Sequence, residues 1–274
     1  MEHINLKTII LSFISLALTS PSISHSRELY WELGAGVGML QLPHYIGSNE
    51  SKNYVLPFPY VVIKSDLLSI DRNVVHGHLL SSDIFKFDIG FSAAFKVDSS
   101  KNKLRSGMPD LDYALEAGPV LKWLIDGEFN TDYELTFDLP VHKVFVTDFN
   151  DINGQGWRAK PMIHLRNKFN DNSYWQLDNS IQWLYGSDDY NKYYYSVDSN
   201  YVTAERPFYN ATSGYSGWRY NLSIRQSTKN MLTGFFMNYT NIRSSVFNDS
   251  PLVAENNSFS LGFFVTWFIS RGSF

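Results

Sequence analysis

Four carboxylates and five cations are the side chains most able to do chemistry: Glu116, Asp132, Glu134 and Asp138, and Arg158, Lys160, Arg166, Arg219 and Arg225. Two carboxylates can work as general acid and base, but only where the fold sets their separation, and sequence spacing does not set it here. Histidines 76, 78, 142 and 164 raise metal ligation or hydrolysis as alternatives. His76-Gly77-His78 puts two imidazoles on one side of an extended chain, a weak metal pair with no further ligand pattern beside it. Serines and acids are plentiful, yet no Gly-x-Ser-x-Gly elbow places a nucleophile. The residues therefore assign no catalytic group, no cofactor and no metal.

What organises the charges is parity. From Asp110 to Trp123 the odd positions Leu111, Tyr113, Leu115, Ala117, Pro119, Leu121 and Trp123 are apolar, and the even ones include Asp112, Glu116, Gly118 and Lys122. Side chains alternate across a strand, so this stretch has one apolar and one wet face. It is longer than the usual strand of about 5–6 residues and matches the roughly 9–11 that cross a bilayer. The pattern recurs in Trp31–Met39, Tyr54–Val62, Phe85–Val97, Tyr133–Val141, Trp157–Leu165, Trp175–Tyr185, Trp218–Ile224, Met231–Tyr239 and Phe259–Ile269. Pro57 and Pro59 predict an irregular or bulged strand, because proline donates no ladder hydrogen bond. Long polar connections alternate with short turns, provided an extra reversal falls near His76-Gly77. The count is then about 12 strands with both termini on the short-turn, periplasmic side. That is the outline of a closed antiparallel transmembrane β-barrel, since lipid offers an open strand edge no partner. A soluble β-sandwich or lipocalin-like barrel alternates in the same way and stands as the competing fold.

Composition narrows the classes. The chain has 274 residues, 16% of them aromatic and 18% charged, with a net charge of -4 and no cysteine. The charge argues against nucleic acid as partner, and disulfides and thiolate metal sites are excluded. No apolar run is long enough for a transmembrane helix. Lys7, the run Ile9–Leu18 and the small residues that follow have the order of a secretory signal peptide over 1–26, cleaved after Ser26, leaving 27–274 as the barrel domain.

On this reading the nine charges face the lumen. A bore of this size has little room, so they are expected to pair into a network that fills it. A narrow pore with charge rings is the alternative. The Tyr-rich stretch from Gly186 to Gly214 reads as loop packing over the mouth, or as a binding surface.

Several segments in order carry a family likeness: Gly34-Ala35-Gly36-Val37, Pro43-His44-Tyr45-Ile46-Gly47-Ser48, Leu56-Pro57-Phe58-Pro59-Tyr60, Gly107-Met108-Pro109-Asp110-Leu111-Asp112, Tyr194-Tyr195-Ser196-Val197, Arg206-Pro207-Phe208-Tyr209 and Asp249-Ser250-Pro251-Leu252-Val253. Over nearly the whole mature chain the sequence resembles the MipA/OmpV family of outer-membrane proteins. The resemblance implies an outer-membrane, lipid-embedded protein without catalytic residues. It also implies a scaffold role, with a lytic transglycosylase and a penicillin-binding murein synthase as partners. A small-solute channel and an envelope hydrolase are the other function classes. One departure is the C-terminus: Ile269 is in phase with the last outer face, and Phe274 is out of phase unless the tail bulges.

Overall fold

The computed structural model describes residues 30–64, 68–71, 74–171 and 173–273, without the side chains of 63–81 and 170–173. The expected signal peptide lies outside the described residues. Among the described residues thirteen strands form a single antiparallel sheet: β1 (Tyr30–Pro43), β2 (Ser51–Lys64), β3 (Leu68–Asp71), β4 (Val74–Ser81), β5 (Phe85–Ala94), β6 (Tyr113–Gly127), β7 (Tyr133–Thr147), β8 (Ile152–Ala159), β9 (Met162–Asp171), β10 (Ser173–Gly186), β11 (Gly214–Ser227), β12 (Met231–Asn241) and β13 (Asn257–Ser273). The order is largely cyclic: β13 pairs with β1, and β10 with β11. The sheet curls into a barrel-like wall with long loops at one end and short turns at the other.

Thirteen segments appear where about twelve strands were expected because Pro161 interrupts one path. β8 pairs with the Val141–Thr147 half of β7, and β9 with its Tyr133–Asp138 half. The two lie end to end along one neighbour, divided at Lys160-Pro161, where the ring removes a ladder donor.

The burial pattern is the reverse of a soluble protein's. Trp123, Trp157, Phe259, Phe263 and Trp267 are exposed, whereas Asp88, Thr136, Asp138 and Thr266 are buried. Within β7 the alternation is sharp: Thr136 is 0% exposed, Phe137 37% and Asp138 1%. Apolar rings on the outside of a wall and carboxylates inside it suit a lipid exterior. Part of the interior is apolar too. Tyr60, Val62 and Leu232 pack with Phe264 and Phe268 on the β1–β2 and β12–β13 side. Gly36 makes room there, because a side chain at that position would meet the Phe58 ring and Thr266 Oγ1.

Several local expectations change. Pro57 and Pro59 sit in a regular ladder, paired with Val37 and Ala35 without a register shift. They are tolerated because, among the described residues, β2 meets β3 only at Ile63 and Lys64, so most of β2 is an edge. Asp71 pairs with Val74, while His76 and Gly77, where the reversal was expected, are within β4, opposite Ser69 and Leu68. β5 ends at Ala94 and β6 begins at Tyr113, so Val97 and Leu111 are not on the outer face; they bridge each other and are buried. The Tyr-rich connection holds a helix, α1 (Asp188–Tyr195). The tail does bulge. Leu33 faces Ser270 and Gly34 faces Phe268, which leaves Ile269 as the extra residue. Phe268 and Arg271 then both turn inward, Arg271 stacking on the Phe268 ring and bonding Glu32. Phase therefore inverts after Ile269; Phe274 itself lies outside the described residues.

Candidate functional site: a charged lumen under a loop cap

The long-loop end carries a small hydrophobic core. Tyr45, Val97, Leu111, Tyr195, Ala211, Ile242 and Phe247 come from four connections and bury one another. Tyr195 stacks on Phe247 with ring centres 3.6 Å apart. Polar bonds fix the arrangement: Tyr45 Oη donates to the Leu252 carbonyl at 2.7 Å, Tyr195 Oη to that of Ile46 at 3.0 Å, and Ser250 Oγ to that of Tyr195 at 2.6 Å. Burial raises both phenol pKa values well above their ordinary range, so each hydroxyl keeps the proton it donates.

Two arginines are held by backbone oxygens instead of carboxylates. Arg105 donates to the carbonyls of Tyr194 and Pro109, and Arg206 to those of Tyr201, Leu104 and Ser106. Because Arg206 reaches across to residues 104–106, it ties the 187–213 connection to the 95–112 one. His44 accepts from Asn102 Nδ2 at 3.2 Å, and burial lowers its pKa despite Glu50 nearby. The family-like segments thus meet in space: Pro43–Ser48, Leu111, Tyr194–Val197, Arg206–Tyr209 and Ser250–Val253 all build this cap.

Below it, the interior charges form two clusters. In the first, Glu116 Oε1 accepts from Arg158 at 2.7 Å, while Oε2 accepts from Lys160 at 2.7 Å and from Ser92 at 2.9 Å. His142 Nδ1 is 3.6 Å away. β5, β6, β7, β8 and the β8–β9 break supply these groups from neighbouring positions on the wall. In the second cluster Asp178 is the hub. Arg166 Nε is 3.0 Å from Oδ1, Arg225 Nη2 2.9 Å from Oδ2, and His164 Nε2 3.3 Å from Oδ1. Arg166 also reaches Glu134 at 3.4 Å, and His164 lies 4.0 Å from the buried Asp138. A separate pair, Lys122 with Asp88 at 3.4 Å, joins β6 to β5.

Eight of the nine candidate charges therefore line the interior. Asp132 does not. It precedes β7 in an exposed turn, where Tyr174 Oη donates to it at 3.2 Å. Asp178 and Asp88 were absent from the candidate set although they share its inward parity. Their parity was the available signal, and it cannot reveal which charge will sit at a hub. Arg219 bonds Thr240 through Nε at 2.8 Å and faces a cavity of about 280 Å³ between the first cluster and the cap. Among the described residues no group of three or more acidic or histidine side chains is arranged to hold a metal ion. The side chains of His76 and His78 lie outside them.

Comparison with known proteins agrees with the segment likeness. The family model "MltA-interacting protein MipA" matches residues 33–269. No curated protein matches. Among solved structures, the outer membrane protease OmpT from Escherichia coli is similar at 11% identity and a TM-score of 0.32, covering 93% of this chain and 100% of that one. A Pseudomonas aeruginosa FadL homologue is similar at 10% identity and a TM-score of 0.22, covering 89% and 90% respectively. Since the family model spans the described wall from β1 to the bulge in β13, the chain belongs to the MipA (MipA/OmpV) family of outer-membrane barrel proteins.

Proposed function

We propose that the protein is a non-enzymatic envelope scaffold: a closed barrel of twelve spans, with β8 and β9 counted as one, whose lumen is filled rather than open. One observation carries this reading. Most interior charges are spent on one another, with every Glu116 and Asp178 oxygen bonded to a neighbouring side chain, and the cap roofs them. Buried charges need such partners, whereas a conducting bore keeps charges hydrated and available. With both termini periplasmic, the turns at residues 82–84, 128–132 and 228–230 face the murein. They form the surface on which a lytic transglycosylase or a penicillin-binding murein synthase would dock, in keeping with the family's name. Co-purification of murein enzymes on the tagged protein from envelope extracts tests this. A bait that returns no such enzyme, while its periplasmic turns are intact, counts against it. Planar-bilayer recordings should be silent; steady conductance would favour the channel class.

A further inference from the structure

The wall has a seam in its long-loop half. Among the described residues β2 bonds β3 only at Ile63 and Lys64, and the β4–β5 ladder stops at Gly90. Ser51–Val62 and Phe91–Ala94 therefore present edges with no strand between them. Phe91, Ser92, Ala93 and Ala94 are all exposed, inward and outward parities alike, as expected of a strand with one open side. The Tyr54 and Phe95 rings, stacked 4.4 Å apart, bridge the outer end of the seam. An unpaired edge at membrane depth is tolerated where it lines a cavity, and this one does. Tyr54 and Ser92–Phe95 belong to the lining of the 280 Å³ space under the cap.

The same cavity is electrically unbalanced. Arg158, Lys160 and Arg219 line it, with Glu116 as the single carboxylate among the described lining residues. Glu116 already satisfies Arg158 and Lys160. Arg219 has Thr240 Oγ1 as a hydrogen-bond partner at Nε, and its terminal nitrogens remain for a ligand. An enclosed excess of cations focuses an attractive field on anions, and a guanidinium fork suits a phosphate or carboxylate.

We infer that the cavity binds an anionic head group, phosphate or carboxylate, and that the seam between β2 and β5 lets an attached apolar chain lie out toward the membrane. The inference is independent of the scaffold reading, since binding is measured without any murein enzyme.

The full-length mature barrel in a neutral detergent, examined by native mass spectrometry, provides the test. The probes are didecanoyl phosphatidic acid, didecanoyl phosphatidylcholine and inorganic phosphate. Phosphatidic acid should remain bound, and the choline lipid should not. Arg219→Gln with Lys160→Gln should weaken retention by about ten-fold or more, the scale of losing one charge-assisted hydrogen bond in an enclosed site. Heat-modifiable gel mobility shows that the variant is folded. Arg219→Lys, which keeps the charge and loses the fork, is the second variant and should fall between. Equal retention by wild type and folded variants overturns the site. Inorganic phosphate bound as tightly as phosphatidic acid overturns the seam as part of it. Because the chain has no cysteine, Tyr54→Cys with Phe95→Cys can be joined by a short bismaleimide. The closed seam should slow phosphatidic acid uptake relative to the same double-cysteine protein left unlinked; equal rates with and without the link refute the route.

Discussion

Replacing Glu116 with glutamine asks whether the lumen behaves as a packed interior or as a water-filled bore. The carboxylate bonds Arg158 and Lys160 at 2.7 Å each, and the three side chains are 10%, 9% and 13% exposed. Glutamine keeps the shape and removes the charge, so two cations lose their counter-ion without a change in volume. In a packed interior, breaking a buried pair in this way costs about 3–5 kcal/mol. In a hydrated bore the same pair contributes only about 0.2–1 kcal/mol. We expect Glu116→Gln to lower unfolding stability by about 3 kcal/mol, read from urea titrations of the barrel refolded in vesicles with tryptophan fluorescence as the signal. The triple change Glu116→Leu, Arg158→Met and Lys160→Met removes all three charges together and should cost much less, since no charge is left unpaired. A loss below about 1 kcal/mol for Glu116→Gln would refute the filled lumen.

The cap and the wall give further expectations. Burial depresses the His44 pKa below its ordinary 6.5. The unfolded state then binds the proton more readily, so the contribution of His44 is present above about pH 6.5 and is lost as pH falls through that value toward the folded pKa. Limited proteolysis of the cap should accelerate on acidification below pH 6.5 in wild type, and His44→Gln should flatten that dependence. Arg206→Met removes the donors to three carbonyls and should destabilise the cap by about 2 kcal/mol, seen as faster cleavage between residues 187 and 213 with the barrel's heat-modifiability retained. Leu121→Arg places a charge on the outer face of β6, where it should cost about 2–4 kcal/mol in vesicles. A cost near zero would remove lipid from that face. Gly36→Leu should prevent the barrel from reaching its heat-modifiable form, because Phe58 and Thr266 occupy the space the side chain needs.

Much of the wall was legible because its cause is local. A period of two follows from backbone geometry, so the outward set in β6, β7 and β13 can be read residue by residue. The failures cluster where that period stops mattering. Val97 and Leu111 continue the alternation of their strands in sequence, yet they leave the wall and bury themselves in the cap. Nothing in a local pattern distinguishes an apolar residue facing lipid from one facing a loop core. α1 escaped notice for a related reason: at eight residues its stability comes from packing Tyr190 and Tyr195, not from its own periodicity. The bulge at Ile269 was foreseen only as a condition on Phe274. A single inserted residue alters hydrogen bonding between strands without altering any motif.

The chemistry followed the same division. Parity placed eight of nine charges inside, since facing inward is a property of one strand. Pairing is a property of several strands at once: Glu116 on β6 takes Arg158 from β8 and Lys160 from the β8–β9 break. Two cations on one carboxylate give the first cluster a positive excess, to which Arg219 adds, whereas in the second Asp178, Glu134 and Asp138 stand beside only two arginines, Arg166 and Arg225. The imbalance falls beside the seam, where β3 and β4 are too short to complete the wall. A filled lumen and an anion-attracting pocket are therefore compatible within one barrel, because the unbalanced cations line the cavity just beneath the cap.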